Sequence, residues 1–144
     1  PGLNMRMEGI QGGILSVKLR YLDLWNNQRR AAAAAYDEAL AGTDVETPVE
    51  MVYNRHVYHL YVVQTDNRDN LRQRLTESGI ESGLHYPVPL HLQQAYRSLG
   101  YKEGDFPVTE RLKDRILSLH MYPGIQADCL ERVVSELRES CYVS

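Results

Sequence analysis

Cysteine is scarce in this chain: Cys129 and Cys141 are the two it has, twelve residues apart. If one helix carries both, a rise of 1.5 Å per residue sets them roughly 18 Å apart, beyond disulfide reach. Free thiols in a reducing compartment are therefore expected. No apolar run approaches the roughly 20 residues of a membrane-spanning helix, and no charged-then-apolar leader stands at the start, so a cytoplasmic location is expected. Also missing are a Gly-x-Ser-x-Gly elbow and a cysteine with basic neighbours at a helix start, which removes the local signatures of nucleophilic catalysis, and a phosphate-binding glycine loop is absent too. A net charge of −3 gives no long-range attraction to nucleic acid or anionic lipid. Neither nucleic acid nor membrane is an expected partner.

What is present is the material of one core. At 144 residues, 43% hydrophobic and 24% charged, the chain has the make-up of a single soluble domain. It opens Pro1-Gly-Leu-Asn4 without an initiator methionine and enters a patterned segment at once, which reads as a piece of a longer protein. Ile10, Ile14, Val17, Tyr21 and Leu24 recur at three- and four-residue steps, predicting one long helix from Met7 to about Leu40, or two with a bend. Unbroken, it would be about 50 Å long, more than a compact domain of this size is wide. It should connect or cross something larger and show its apolar stripe when isolated. Gly42 through Pro48 reads as a loop.

From His56 to Val63 the β-branched and aromatic content predicts a buried strand. Asn67 is expected to cap a helix from Arg68 to Ser78 that Gly79 ends. A second strand is expected at Ile80 to His85, a short helix at Leu90 to Leu99, a helix opened by Pro107, a third strand at Ile116 to Leu119, and a closing helix from Asp128 to Glu139. Strands alternating with helices give an α/β or α+β layer arrangement.

Two groups of side chains invite a chemical reading. His56 and His59 are three apart in a predicted strand, where a period of two sends them to opposite faces. With no cysteine pair or acidic cluster to add ligands, no metal site is expected. The run His85-Tyr86-Pro-Val-Pro-Leu-His91 is a better candidate, because polar aromatic side chains at a strand end, followed by a proline-fixed turn, are well placed to meet a ligand. Satisfying local hydrogen bonds is the alternative role for such residues.

The segment Gly2-Leu-Asn4-Met5-Arg6-Met7-Glu-Gly-Ile10-Gln11 resembles the Gly-x-Asn-x-Arg-(Met/Leu)-x-x-Ile-Gln signature of the DegT/DnrJ/StrS sugar aminotransferases. It is followed in the same order by Trp25-Asn26, by His56-Val-Tyr-His-Leu-Tyr, by His85-Tyr86-Pro87 with His91-Leu-Gln93, by Gly104-Asp-Phe-Pro107 and by Leu117-Ser-Leu-x-Met-Tyr-Pro123. The resemblance covers nearly the whole chain and corresponds to the C-terminal portion of those enzymes. Gly12-Gly13 and His120 depart from the usual pattern.

The resemblance implies a fold-type I transferase using pyridoxal phosphate. The chain would supply a connecting helix (1–42) and a small α/β domain (43–144) with a mainly antiparallel sheet. It further implies a homodimer, with Asn4 reaching the cofactor phosphate of the other subunit, and Met5, Arg6, His85 and Tyr86 near a nucleotide-sugar substrate. An arginine suits a diphosphate through its planar, permanently charged fork. The reaction implied is transfer of an amino group, commonly from glutamate, to a keto carbon of a nucleotide-linked deoxysugar. The Schiff-base lysine of the family precedes the Gly-x-Asn-x-Arg segment, and Lys18, Lys102 and Lys113 do not match it, so this piece alone carries no catalytic residue and is expected to be inactive. The rival readings are a non-enzymatic dimerisation or interaction module and a sugar dehydratase of the same fold.

Overall fold

The computed structural model describes residues 7–141. The long helical segment is broken in two, α1 (Gly9–Leu19) and α2 (Leu22–Ala39). The break is a tight turn: Arg20 N–H donates to Val17 O and Tyr21 N–H to Lys18 O, three residues back instead of four. Tyr21 and Trp25 stack across it at 5.8 Å. No residue of α1 is buried, and Ile10 is 78% exposed.

The second half of α2 behaves differently. Its alanine run favours helix and keeps its surface low, and Ala32, Ala33 and Tyr36 sink into the core beside Leu40. Tyr36 stacks on Tyr61 with centroids 4.8 Å apart, and its hydroxyl donates to His120 O at 3.2 Å. Burial pushes that hydroxyl up to about 12. Tyr61 donates to Asp37 Oδ1 at 2.5 Å; burial and this bond raise its hydroxyl too.

Strand β1 (Tyr61–Gln64) pairs antiparallel with β2 (Ile116–Leu119), Tyr61 facing Leu119 and Val63 facing Leu117. Those four side chains form the inner face of the sheet. Leu71 and Leu75 of α3 (Arg68–Glu77) and Leu130, Val133, Val134 and Leu137 of α5 (Ala127–Cys141) pack against it in one cluster. Each such leucine taken out of water contributes roughly 1.5–3 kcal/mol.

Helix α3 ends as Gly79 requires, at φ +71. Ile80 N–H donates to Leu75 O and Gly79 N–H to Thr76 O, the paired closing bonds of a Schellman cap. Its start departs from expectation: the Asn67 side chain makes no cap bond, and its N–H donates instead to Thr65 Oγ1 at 3.3 Å. The buried Arg68 guanidinium ties this end to the sheet, donating to Lys113 O and Ile116 O.

Three expected elements are smaller than the sequence pattern. The strand from His56 shrinks to Tyr61–Gln64, since the preceding residues are held by other bonds. Arg30 grips Glu50 with both nitrogens (2.5 and 2.9 Å) and donates to His56 O at 2.7 Å, while His56 N–H donates to Glu50 Oε1 at 2.6 Å. Buried Tyr58 then turns through φ +47, a left-handed conformation, with its N–H on His56 Nδ1 at 3.0 Å. His56 and His59 therefore precede the strand instead of lying on its two faces. The second strand reduces to one bridge between Gly83 and Ser118, and the Leu90 to Leu99 helix to two 3₁₀ turns, Leu90–Leu92 and Gln94–Leu99. A six-residue α4 (Pro107–Leu112) opens on its proline.

The Arg30–Glu50 pair makes stability depend on acid. Its hydrogen bond from Arg30, aided by the His56 N–H, lowers the Glu50 carboxyl from 4.5 to about 2. A carboxyl depressed by folding stabilises fully above its unfolded value, and that contribution is lost as pH falls through the folded one. The thermal midpoints of the protein and of Glu50→Gln should therefore differ most above about 4.5 and converge as pH falls toward about 2. A gap that stays constant across that window would contradict this account of the loop.

Candidate functional site

The sheet's other face carries the candidate site. Val62 lies opposite Ser118 in the register and Gln64 opposite Ile116, so these four side chains share the face turned from the core. Across it runs the segment from Gly83 to Leu90. Gly83 and Ser118 exchange both backbone bonds (3.1 and 2.8 Å), and two residues on the His85 imidazole comes back to the same strand, its Nδ1 2.9 Å from Ser118 Oγ.

Gly83 is small for a reason visible here. A Cβ added to it would stand 2.6 Å from His85 Cε1 and 3.2 Å from Nδ1. The ring therefore lies over the glycine, its Nδ1 engaged by the serine, leaving Nε2 as the nitrogen able to meet a ligand. Tyr86, 69% exposed, stands edge-on at 5.6 Å between centroids.

Beyond Tyr86 the two prolines turn the chain toward α4. Between that segment and the helix is a depression of about 370 Å³, lined by Val62, His85, Tyr86, Leu90, Thr109 and Lys113 among others. Apolar walls with a few convergent polar groups are what small-ligand sites are made of. His91 Nε2 meets Glu110 Oε1 at 2.8 Å behind it. Glu110 also accepts from Gly104 N–H (2.8 Å) and Phe106 N–H (3.1 Å). The Gly104 bond first, then those of Phe106 and His91, hold its carboxyl below the ordinary value against the opposing effect of burial.

Of the residues singled out in the sequence, His85 and Tyr86 are brought together at this depression. Asn4, Met5 and Arg6 lie outside the described residues. Sequence reasoning passed over Gly83 and Ser118. A serine interrupting Ile-Leu-Ser-Leu was the available signal, since alternation alone turns Ser118 away from the core.

A second concavity, about 710 Å³, runs along α1 and the start of α2, between Leu15, Lys18, Leu19, Leu22, Trp25 and Arg29. The open α1 stripe continues it. Farther along the chain, a turn after the Gly42 to Pro48 loop bears Val52 and Tyr53, 104% and 85% exposed.

These residues do not by themselves make a site for pyridoxal phosphate. Lys18 is exposed with its ammonium 5.9 Å from the Trp25 centroid, Lys102 is exposed in a loop, and half-buried Lys113 stands 4.0 Å from the Asp114 carboxylate. None is enclosed in a dry pocket, the setting that desolvates a lysine and activates it toward a carbonyl.

Comparison with known proteins gives this architecture a context. The family model of the DegT/DnrJ/EryC1/StrS aminotransferase family matches residues 1–138. A pleiotropic regulatory protein of Geobacillus stearothermophilus is 42% identical over 141 residues, 96% of this chain and 38% of that protein. A dTDP-3-amino-3,4,6-trideoxy-alpha-D-glucose transaminase of Streptomyces venezuelae is 38% identical, over 96% of this chain and 37% of its own length. Among solved structures, DesV of S. venezuelae in complex with a ketimine intermediate superposes with a TM-score of 0.94 at 37% identity, covering 99% of this chain and 39% of that one. The chain thus spans about 38% of the length of the curated relatives it matches.

Proposed function

Because the chain belongs to the DegT/DnrJ/EryC1/StrS aminotransferase family, we propose that it is the substrate-walling part of a pyridoxal-phosphate enzyme that moves an amino group, from glutamate, to a keto carbon of a nucleotide-linked deoxysugar. The observation that carries the reading is the pairing of His85 and Tyr86 over an open depression, on a chain whose own lysines are not enclosed. In this reading residues 1–42 connect to a companion domain and 43–144 form the small domain, with the end of α2 anchored in its core. The exposed stripe of α1 is the surface that the companion covers. Relatives named as transaminases of dTDP- and UDP-linked sugars support the substrate class.

Bound in the intact protein, the cofactor supplies the electron sink. The work of this chain is to bind and orient. On the family resemblance, Asn4 would hold the cofactor phosphate of the other subunit in a homodimer, and Arg6 would bind the sugar diphosphate through its fork. Met5, His85 and Tyr86 shape the space beside the sugar. A soluble cytoplasmic enzyme is the setting that suits such substrates.

The test is an assay of the intact protein with glutamate and a dTDP- or UDP-linked keto sugar, the product weighed by mass spectrometry. An amino sugar is expected, and Arg6→Ala should raise the KM for the sugar about 10–100-fold, the worth of a lost charge-assisted pair. A second reading, regulation without catalysis, draws on the similarity to a protein named as a pleiotropic regulator. A sugar that gains no nitrogen would overturn the transferase, and one that loses water would identify a dehydratase.

A further inference from the structure

The depression at His85 has two walls that come from different parts of the chain. One is the segment from His85 to Leu90, and the other is the face of α4 with Thr109 and Leu112, together with Lys113 just after the helix. Leu90 is followed by His91 and Thr109 by Glu110, so the 2.8 Å bond between His91 Nε2 and Glu110 Oε1 fastens one wall to the other immediately behind the opening. Both side chains are largely covered, 8% and 13% exposed, and the imidazole rests on the Phe106 ring at 4.7 Å. Glu110 already accepts two backbone N–H bonds, from Gly104 and Phe106. As an ionised acceptor it leaves His91 Nε2 the donor's part. The segment is thereby held at both ends by histidines: His85 on the sheet through Ser118, and His91 on α4 through Glu110.

We propose that His91 and Glu110 are positioning residues that set the width of the substrate depression by clamping the Tyr86–Leu90 wall to α4. They touch no substrate. Their effect on turnover passes through Tyr86 and His85, and this part of the proposal rests on the aminotransferase reading above. Glu110 does two jobs, since it also ties down the loop before α4, whereas His91 does one. The His91 variants therefore isolate the clamp.

The experiment uses the intact protein and its His91→Ala, His91→Gln and Glu110→Gln variants, read in two ways. Amide hydrogen exchange is followed at residues 86–92 and in α5 as an internal reference. Steady-state kinetics are measured with the nucleotide-linked keto sugar. His91→Ala should speed exchange at 86–92 while α5 stays protected, and should raise the KM for the sugar about tenfold, as expected for a lost charge-assisted hydrogen bond, with kcat little changed. His91→Gln, whose amide can still donate to Glu110, should recover at least half of both effects. Glu110→Gln should in addition loosen residues 100–106. Should α5 lose protection in His91→Ala, the judgement falls on His91→Gln: recovery of at least half of the exchange and KM effects supports the clamp, and anything less overturns it. Unchanged exchange at 86–92 in His91→Ala overturns it outright, whatever the kinetics. If the unaltered protein transfers no amino group, the functional reading fails, and the exchange measurement still decides whether the clamp exists.

Discussion

Replacing Gly83 by alanine is expected to lower kcat/KM of the intact protein for the nucleotide sugar proposed as its substrate about 100-fold, the order of loss that follows when a contacting group is misplaced by roughly 1 Å. The reason is local. The new methyl would sit 2.6 Å from His85 Cε1, too close for any pair of carbons, while Ser118 Cβ stands at 3.6 Å, an ordinary contact. The backbone bonds between Gly83 and Ser118 are untouched by a side chain, so the imidazole is what gives way. It swings off Ser118 Oγ and carries the Tyr86 edge contact with it. Folding loses about 0.5–1.5 kcal/mol, one hydrogen bond, because the ring is exposed and free to move outward. Kinetics of Gly83→Ala, His85→Ala and the double variant test this: if Gly83 acts through His85, the double variant is no worse than the worse single one. Wild-type kinetics for Gly83→Ala would remove His85 from the site.

The second large effect concerns where covalent chemistry takes place. A lysine that bonds to a cofactor carbonyl is activated by desolvation or by a neighbouring cation. Lys18 lies on the open helix α1 beside Trp25, Lys102 is exposed, and Lys113 neighbours a carboxylate. We expect the intact protein to form its covalent link with pyridoxal phosphate at a lysine outside these residues. Substituting Lys18, Lys102 and Lys113 together by arginine should then leave that link intact, although Lys113 lines the depression at His85 and its loss is expected to alter KM as well.

Much of the small domain was legible in the sequence because its signals are local. Leu130, Val133, Val134 and Leu137 have helical spacing and are buried in α5; Gly79 ends α3 because a left-handed residue is needed there; Pro107 opens α4. The failures arose where side chains far apart in sequence compete for the backbone. Nothing near His56 announces that Arg30 and Glu50 will take its carbonyl and N–H, so eight strand-like residues yield a four-residue strand. Ile80 to His85 looked like a strand and makes one bridge, because after Gly83 the chain crosses the sheet face and Pro87 and Pro89 keep it from pairing further.

The site divides in the same way. His85 and Tyr86 stood out as polar aromatics before a proline turn. Gly83 and Ser118 matter only once the bridge sets them face to face, and His91 finds Glu110 across 19 residues. The apolar stripe of α1 was plain from its spacing, and no residue of that helix is buried here, the exposure expected of it when isolated.

One measurement bears most directly on the central claim, that this chain walls a cleft whose reactive lysine lies elsewhere in the protein. The intact protein is loaded with pyridoxal phosphate, reduced with borohydride to fix the covalent link, digested, and the modified peptide identified by mass spectrometry. The label is predicted on a lysine outside residues 1–144. A label on Lys18, Lys102 or Lys113, or none anywhere in a protein that nonetheless transfers amino groups, would contradict it.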